Sequence, residues 1–169
     1  MTRAAVLIAL FLTATAGAAD RAVVRVDGRI GPFRIDRTTE ARVRALAGRP
    51  TRVVKTVPEF PGAPAGRTLD YRCGRGCRTS YSFNAATGKL SDFWSASPRF
   101  VTERGSHVGM KAAEAARRER AKPVPGCGDG LYIHLRSGQH GTFVLTVSHG
   151  RVDGLLYLGP HSIFYEGLC

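Results

Sequence analysis

Cysteine and histidine are the residues in this chain whose chemistry asks to be tested first. Cys73, Cys77, Cys127 and Cys169 are an even set. Thiolate ligands for zinc usually come as closely spaced pairs, and the spacing Cys-x3-Cys followed by two distant single cysteines matches no usual zinc pattern. Two disulfides in an oxidising compartment fit better. Of the three possible pairings we favour Cys73–Cys77 and Cys127–Cys169, with the first pair closing a tight glycine turn, Cys73-Gly74-Arg75-Gly76-Cys77. The five histidines, His107, His134, His140, His149 and His161, form no His-x-His or His-x3-His pair. They read as surface residues and not as a zinc or copper site. Ser106-His107 and Ser148-His149 are adjacent in sequence, where side chains point apart, and no acid is placed to orient either histidine. Gly126–Gly130 lacks the strand-to-helix setting of a phosphate loop. The expectation is therefore a non-enzymatic protein with no metal and no cofactor.

A binding face is the better candidate. With Leu131, Ile133 and Leu135 turned toward the core, Tyr132, His134 and Arg136 share the opposite face of one strand. Continuing the alternation adds Leu155 and Tyr157, and Phe93 from the first half. Such a mixture of aromatic, aliphatic and basic groups is common at protein interfaces. Phe93, Tyr132, His134, Arg136, Leu155 and Tyr157 are thus the expected partner-binding residues, and an extracellular protein the expected partner.

Composition bounds the setting. The 169 residues carry a net charge of +12, with Arg outnumbering Lys by 21 to 4. A basic surface favours acidic partners, but the arginines are scattered and form no block. An anionic wall polymer or lipid held by this charge is the alternative reading. Arg3 followed by the apolar run Ala4–Ala16 and the small residues Ala16-Gly17-Ala18 reads as a secretory signal peptide over residues 1–18. That run is too short to span a bilayer. Export argues against a nucleic-acid role. The expected location is secreted or cell-envelope.

The elements that must position these residues follow from periodicity. Ala22–Val26 and Ile30–Ile35 flank an Asp27-Gly28 turn. Thr38 is the expected cap of a helix with Val43, Leu46 and Ala47 on one side, stopped by Gly48 and Pro50. Strands are expected at Thr51–Val57, Thr68–Cys73, Ser80–Ala85, Lys89–Ala96 and Arg99–Thr102. Leu90, Trp94 and Ala96 are expected to share a face. A second helix, Met110–Ala121, precedes strands at Leu131–Arg136, Thr142–Val147, Arg151–Leu158 and Ser162–Tyr165.

The chain also matches itself. Shifting residues 69–98 by 62 positions lays Leu69 on Leu131, Tyr81 on Phe143, Gly88 on Gly150 and Pro98 on Pro160. Shifting the first helix by 73 lays Val43 on Ala116 and Pro50 on Pro123, the difference of 11 being absorbed by the Pro/Gly loop 58–67. The expected fold class is α+β, a tandem repeat of a helix plus an antiparallel β-meander, with modules at 19–102 and 103–169. Ile35-Asp36-Arg37-Thr38, the ending Leu46-x-Gly48-x-Pro50, and Tyr81-x-Phe83…Gly88-Lys89-Leu90 together resemble the SmpA/OmlA (BamE-like) module. Two such modules in a secreted, disulfide-bonded chain resemble the β-lactamase inhibitory protein family. That resemblance implies a concave sheet that grips a protein, with loops that enter an active site.

Overall fold

The computed structural model describes residues 21–58, 63–126, 130–136 and 141–163. Short N-terminal strands come first: β1 (Ala22–Val24), β2 (Arg29–Ile30) and β3 (Phe33–Arg34). Helix α1 (Glu40–Ala47) follows, then β4 (Arg52–Thr56), β5 (Gly66–Gly74), β6 (Cys77–Asn84), β7 (Leu90–Ser95) and β8 (Phe100–Thr102). Helix α2 (Ala112–Glu119) precedes β9 (Pro123–Pro125), β10 (Leu131–Arg136), β11 (Thr142–Ser148) and β12 (Arg151–Leu158).

These strands form two sheets. The larger has eight strands in the order β4-β5-β6-β7-β12-β11-β10-β9, and the smaller has four in the order β3-β2-β1-β8. All pairings in the large sheet are antiparallel. In the small sheet β1 runs parallel to β8, joining residues 78 positions apart at Ala22↔Phe100.

One cross-strand row of the large sheet explains the core. Leu69 faces Tyr81, Tyr81 faces Phe93, Phe93 faces Tyr157 and Tyr157 faces Phe143. Each of these side chains is buried. They pack on Val24, Ile30 and Phe33 from the small sheet, with Phe33 meeting Tyr81 edge-on at 5.2 Å between ring centroids. Aromatic pairs in this geometry add to the large apolar area each ring already buries. The architecture is therefore sheet on sheet, with its core between the inner faces.

The helices are peripheral. Each has eight residues; α1 buries only Val43, and α2 only Ala112 and Ala115. Thr39, not Thr38, caps α1, accepting from the Arg42 N–H. Thr38 Oγ1 instead accepts from the Arg34 N–H at 2.8 Å and closes the turn before the helix.

The expected fold class is corrected by this arrangement. A tandem repeat of helix-plus-meander modules needs each helix to cover its own meander. Here the short helices bury too little apolar surface to act as a layer, and the small sheet of β1, β2, β3 and β8 supplies it. The resemblance to the BamE-like module and to the β-lactamase inhibitory protein family fails for the same reason. The shared Gly and Pro positions record hairpin turns and helix stops, which a predominantly β architecture also needs. Moreover, β7 and β12 pair directly, so the eight strands form one continuous sheet across the expected module boundary.

The two edges of the large sheet differ. At β9 the Gly126 N–H donates to Gly130 O at 2.9 Å. Alternation then turns the Val124 backbone toward β10 and the backbones of Pro123 and Pro125 outward. Proline has no N–H, so these two positions offer no donor along that edge. The opposite edge, β4, carries Arg52 and Lys55 and has no proline.

Cys73 and Cys77 are joined at the tip of the β5–β6 hairpin, as expected. Residues 1–18, Cys127 and Cys169 lie outside the described residues, so the signal peptide and the second pairing do too. Ser162 and Ile163 are not in a strand; the rest of the strand expected at 162–165 lies outside the described residues.

Candidate functional site

The face of the large sheet opposite the core carries a different set of residues. Arg52 faces Asp70, Asp70 faces Ser80, Ser80 faces Trp94, Trp94 faces Leu156, and Leu156 faces Val144. One row along, Val54, Thr68, Ser82, Asp92 and Leu158 face one another in turn. Tyr132, from β10, lines the far side. Together they form a groove of about 490 Å³. Its lining is chemically mixed, with apolar Leu156 and Leu158 from β12 and hydroxyls and carboxylates from β5, β6 and β7.

Side-chain hydrogen bonds organise the polar lining. Ser80 Oγ donates to Asp70 Oδ1 at 2.6 Å, and the hydroxyls of Thr68 and Ser82 meet at 2.8 Å. Asp92 is almost wholly buried, at 1% exposure. Its Oδ2 accepts from Ser91 Oγ at 2.8 Å and from the Ile163 N–H at 3.1 Å, whereas its Oδ1 has no hydrogen-bond partner. Burial pushes the Asp92 carboxyl above the usual carboxylate range, opposed by hydrogen bonds from Ser162, Ile163, Ser91 and Gly159.

Trp94 forms the groove's aromatic wall. The Arg78 guanidinium carbon lies 4.9 Å from its ring centroid, a cation–π distance. Gly154 makes room for the indole, since a Cβ there would stand 2.9 Å from Trp94 Nε1 and 2.7 Å from Thr146 Oγ1. At the closed end the segment after β12 folds back, with Asn84 Nδ2 donating to His161 O. Ile163 then seats against Gly66, where a Cβ would clash at 2.7 Å.

The expected binding residues divide between the faces. Tyr132 and His134 lie opposite the core, both half-buried, with ring centroids 6.3 Å apart. Phe93, Leu155 and Tyr157 lie in the core, at 1%, 0% and 1% exposure. Arg136 also leaves the outer face. A β-bulge between His134 and Arg136 changes the alternation, and Arg136 Nη1 donates to Val26 O at 2.7 Å, beside the Tyr157 hydroxyl that donates to the same oxygen.

Trp94, Asp70, Asp92, Ser80, Ser82 and Leu156 are groove residues that the sequence reading missed. A second bulge, between Ser82 and Phe83, sets Phe83 opposite Leu90 and separates Leu90 from the face of Trp94. In β12 the run Leu155-Leu156-Tyr157-Leu158 is apolar at every position, so alternation carries no information there.

The Ser-His pairs do not assemble into a site. Ser106 is buried, while the His107 ring hydrogen-bonds Val108 O and His149 sits exposed in the β11–β12 turn at φ +49°. Among the described residues no three of His, Cys, Asp and Glu come together as metal ligands. What the groove can do is bind: it offers aromatic and aliphatic surface beside hydrogen-bonding groups and two carboxylates.

Neither a family model nor a curated protein matches the chain. Among solved structures it is similar to an extracellular protein containing a SCP domain from Bacillus anthracis str. Ames, with 12% identity and a TM-score of 0.49 over 73% of this chain. The match covers 43% of that protein, so the chain spans less than half of its length.

Proposed function

We propose that this chain is a secreted, non-enzymatic binding module that grips a segment of an extracellular protein in the groove on the open face of its large sheet. The observation that carries the reading is the groove around Trp94: an aromatic wall with Arg78 stacked on it, apolar Leu156 and Leu158 alongside, and a hydrogen-bonding floor. Tryptophan, tyrosine and arginine are the residues most enriched among energetic hot spots of protein interfaces. The Cys73–Cys77 disulfide supports an oxidising compartment, and no helix among the described residues is long and apolar enough to cross a membrane.

Affinity capture from the native culture medium tests the proposal, with Trp94→Ala and Leu156→Ala compared with the unaltered protein. A partner retained by the unaltered chain and lost by both variants, each with unchanged circular dichroism, is the expected result. Capture indifferent to both substitutions sinks it. Binding abolished by moderate salt in both the unaltered and Trp94→Ala proteins would instead identify an anionic polymer held by surface charge.

A further inference from the structure

The open edge of the large sheet is β4, and the ladder shows which of its backbone groups point outward. The Ala85 N–H donates to Ala65 O at 2.9 Å, and the Thr51 N–H to Asp70 O at 2.8 Å. Odd positions of β5 therefore turn their backbones to β6 and even positions to β4. Arg52, Val54 and Thr56 lie opposite Asp70, Thr68 and Gly66 and turn theirs to β5. The N–H and C=O of Val53 and Lys55 are left pointing out, and nothing among the described residues bonds them. Lys55 is exposed, as are Val53 at 44% and Val57, just past the strand, at 74%. The side chains define the kind of strand that fits there. β4 holds two cations and no acid. Lys55 belongs to no ion pair among the described residues, and Arg67 opposite it shares the Glu40 carboxylate with Arg44. Two guanidiniums on one carboxylate leave that side of the edge positive. Arg52 has Asp70 opposite it on β5, while its other flank is the open edge.

We infer that β4 is a docking edge for an extended, acidic segment of a partner polypeptide, which adds to the large sheet as a further strand. Main-chain hydrogen bonds to Val53 and Lys55 supply the attachment. Carboxylates opposite Lys55 and Arg52 and an apolar residue opposite Val53 supply the selection. Lysine on an edge strand is a common guard against unwanted pairing. Here it turns away a second β4, since two copies would gather four cations on one seam, and it admits a strand of opposite charge. The edge adjoins the groove through Arg52, Val54 and Thr56, but pairing along it does not depend on the groove being a binding site.

The probe is a fluorescein-labelled peptide, Gly-Thr-Glu-Val-Val-Glu-Thr-amide, beside a counterpart with lysine in place of both glutamates, read by fluorescence anisotropy. Saturable binding of the glutamate peptide alone is expected. Val53→Pro removes an outward donor and leaves the β4–β5 ladder intact, so it should weaken that binding about tenfold. Lys55→Glu should weaken it about as much and let the lysine peptide bind instead. Trp94→Ala should change nothing. Equal binding of both peptides, binding of neither, or indifference to Val53→Pro in a chain of unchanged circular dichroism would overturn the inference. So would loss of binding in Trp94→Ala, which would put the peptide in the groove. Dimerisation in sedimentation that Val53→Pro abolishes would also overturn it, by making a second copy the occupant. Should Val53→Pro fail to fold, Lys55→Glu decides alone: a gain of lysine-peptide binding supports the docking edge, and an unaltered preference for glutamate overturns it.

Discussion

The Arg78 guanidinium lies over the Trp94 ring, 4.9 Å from its centroid, on the open face of the large sheet. Arg78 precedes Ser80 by two on β6, and Ser80 faces Trp94 on β7, so the arginine reaches diagonally to the ring. Its positive charge shields part of the indole from water and sets its environment. Arg78→Ala should red-shift and broaden Trp94 emission while lowering stability by less than about 1 kcal/mol, the scale of an exposed cation–π pair. Steady-state fluorescence with urea unfolding of the same variant checks both halves, and an unchanged spectrum would deny the contact.

Tyr157 and Tyr132 should respond in opposite ways to the same substitution. Tyr157 is buried between Phe93 and Phe143, so Tyr157→Ala should lose about 3–5 kcal/mol or fail to fold. Tyr157→Phe removes only the hydroxyl that donates to Val26 O and should cost about 1 kcal/mol. Tyr132→Ala, at a half-buried position on the outer face, should cost about 1 kcal/mol or less. Comparable losses in both alanine variants on chemical denaturation would place the two tyrosines on one face, contrary to the register.

Asp92 gives a pH dependence with a definite sign. Burial holds its carboxyl above the ordinary range in the folded chain. The folded state therefore binds more protons than the unfolded state between the ordinary and the raised value, and this residue's contribution to stability falls as pH rises through that window. Asp92→Asn keeps an acceptor for Ser91 and Ile163 without the buried charge. Its melting temperature should exceed that of the unaltered protein at neutral pH, and the gap should close as pH falls to the ordinary carboxylate range. Calorimetry over pH 4–8 decides; a gap that widens on acidification contradicts the burial argument.

The Cys73–Cys77 bond closes a loop of five residues at an exposed hairpin tip. Chain-entropy reasoning assigns so short a loop about 2 kcal/mol at most. Cys73→Ser/Cys77→Ser should lower stability by that amount and leave the groove, at Trp94, spectroscopically unchanged. A collapse of the whole fold would show that the hairpin tip carries more than its own turn.

Much of the inner face was legible from alternation. Leu69, Tyr81, Ile133, Phe143 and Leu145 are buried where period-two reading puts a core, and the Cys73–Cys77 pairing, favoured for keeping each bond within one repeat, stands although the repeat does not. What was not legible has physical causes. The parallel pairing of β1 with β8 joins segments 78 residues apart, and no local pattern records it. Bulges at Ser82/Phe83 and His134/Arg136 each shift the alternation within a strand. Such shifts hid Trp94 and misplaced Arg136, while the uninterrupted apolar run of β12 hid the true side of Tyr157. Nothing in the sequence singles out Asp70 and Asp92, because alternation does not show that the face they point from is recessed.

The proline-lined edge at β9 has a consequence for self-association. A sheet propagates into a fibril only if each added copy exposes a fresh template, which requires two usable edges per chain. Pro123 and Pro125 withdraw the donors from one edge of the large sheet, and of its two edges β4 alone remains competent. Two copies joined β4 to β4 would have consumed both donor-bearing edges of their large sheets. Edge-to-edge growth through the large sheet therefore terminates at a pair.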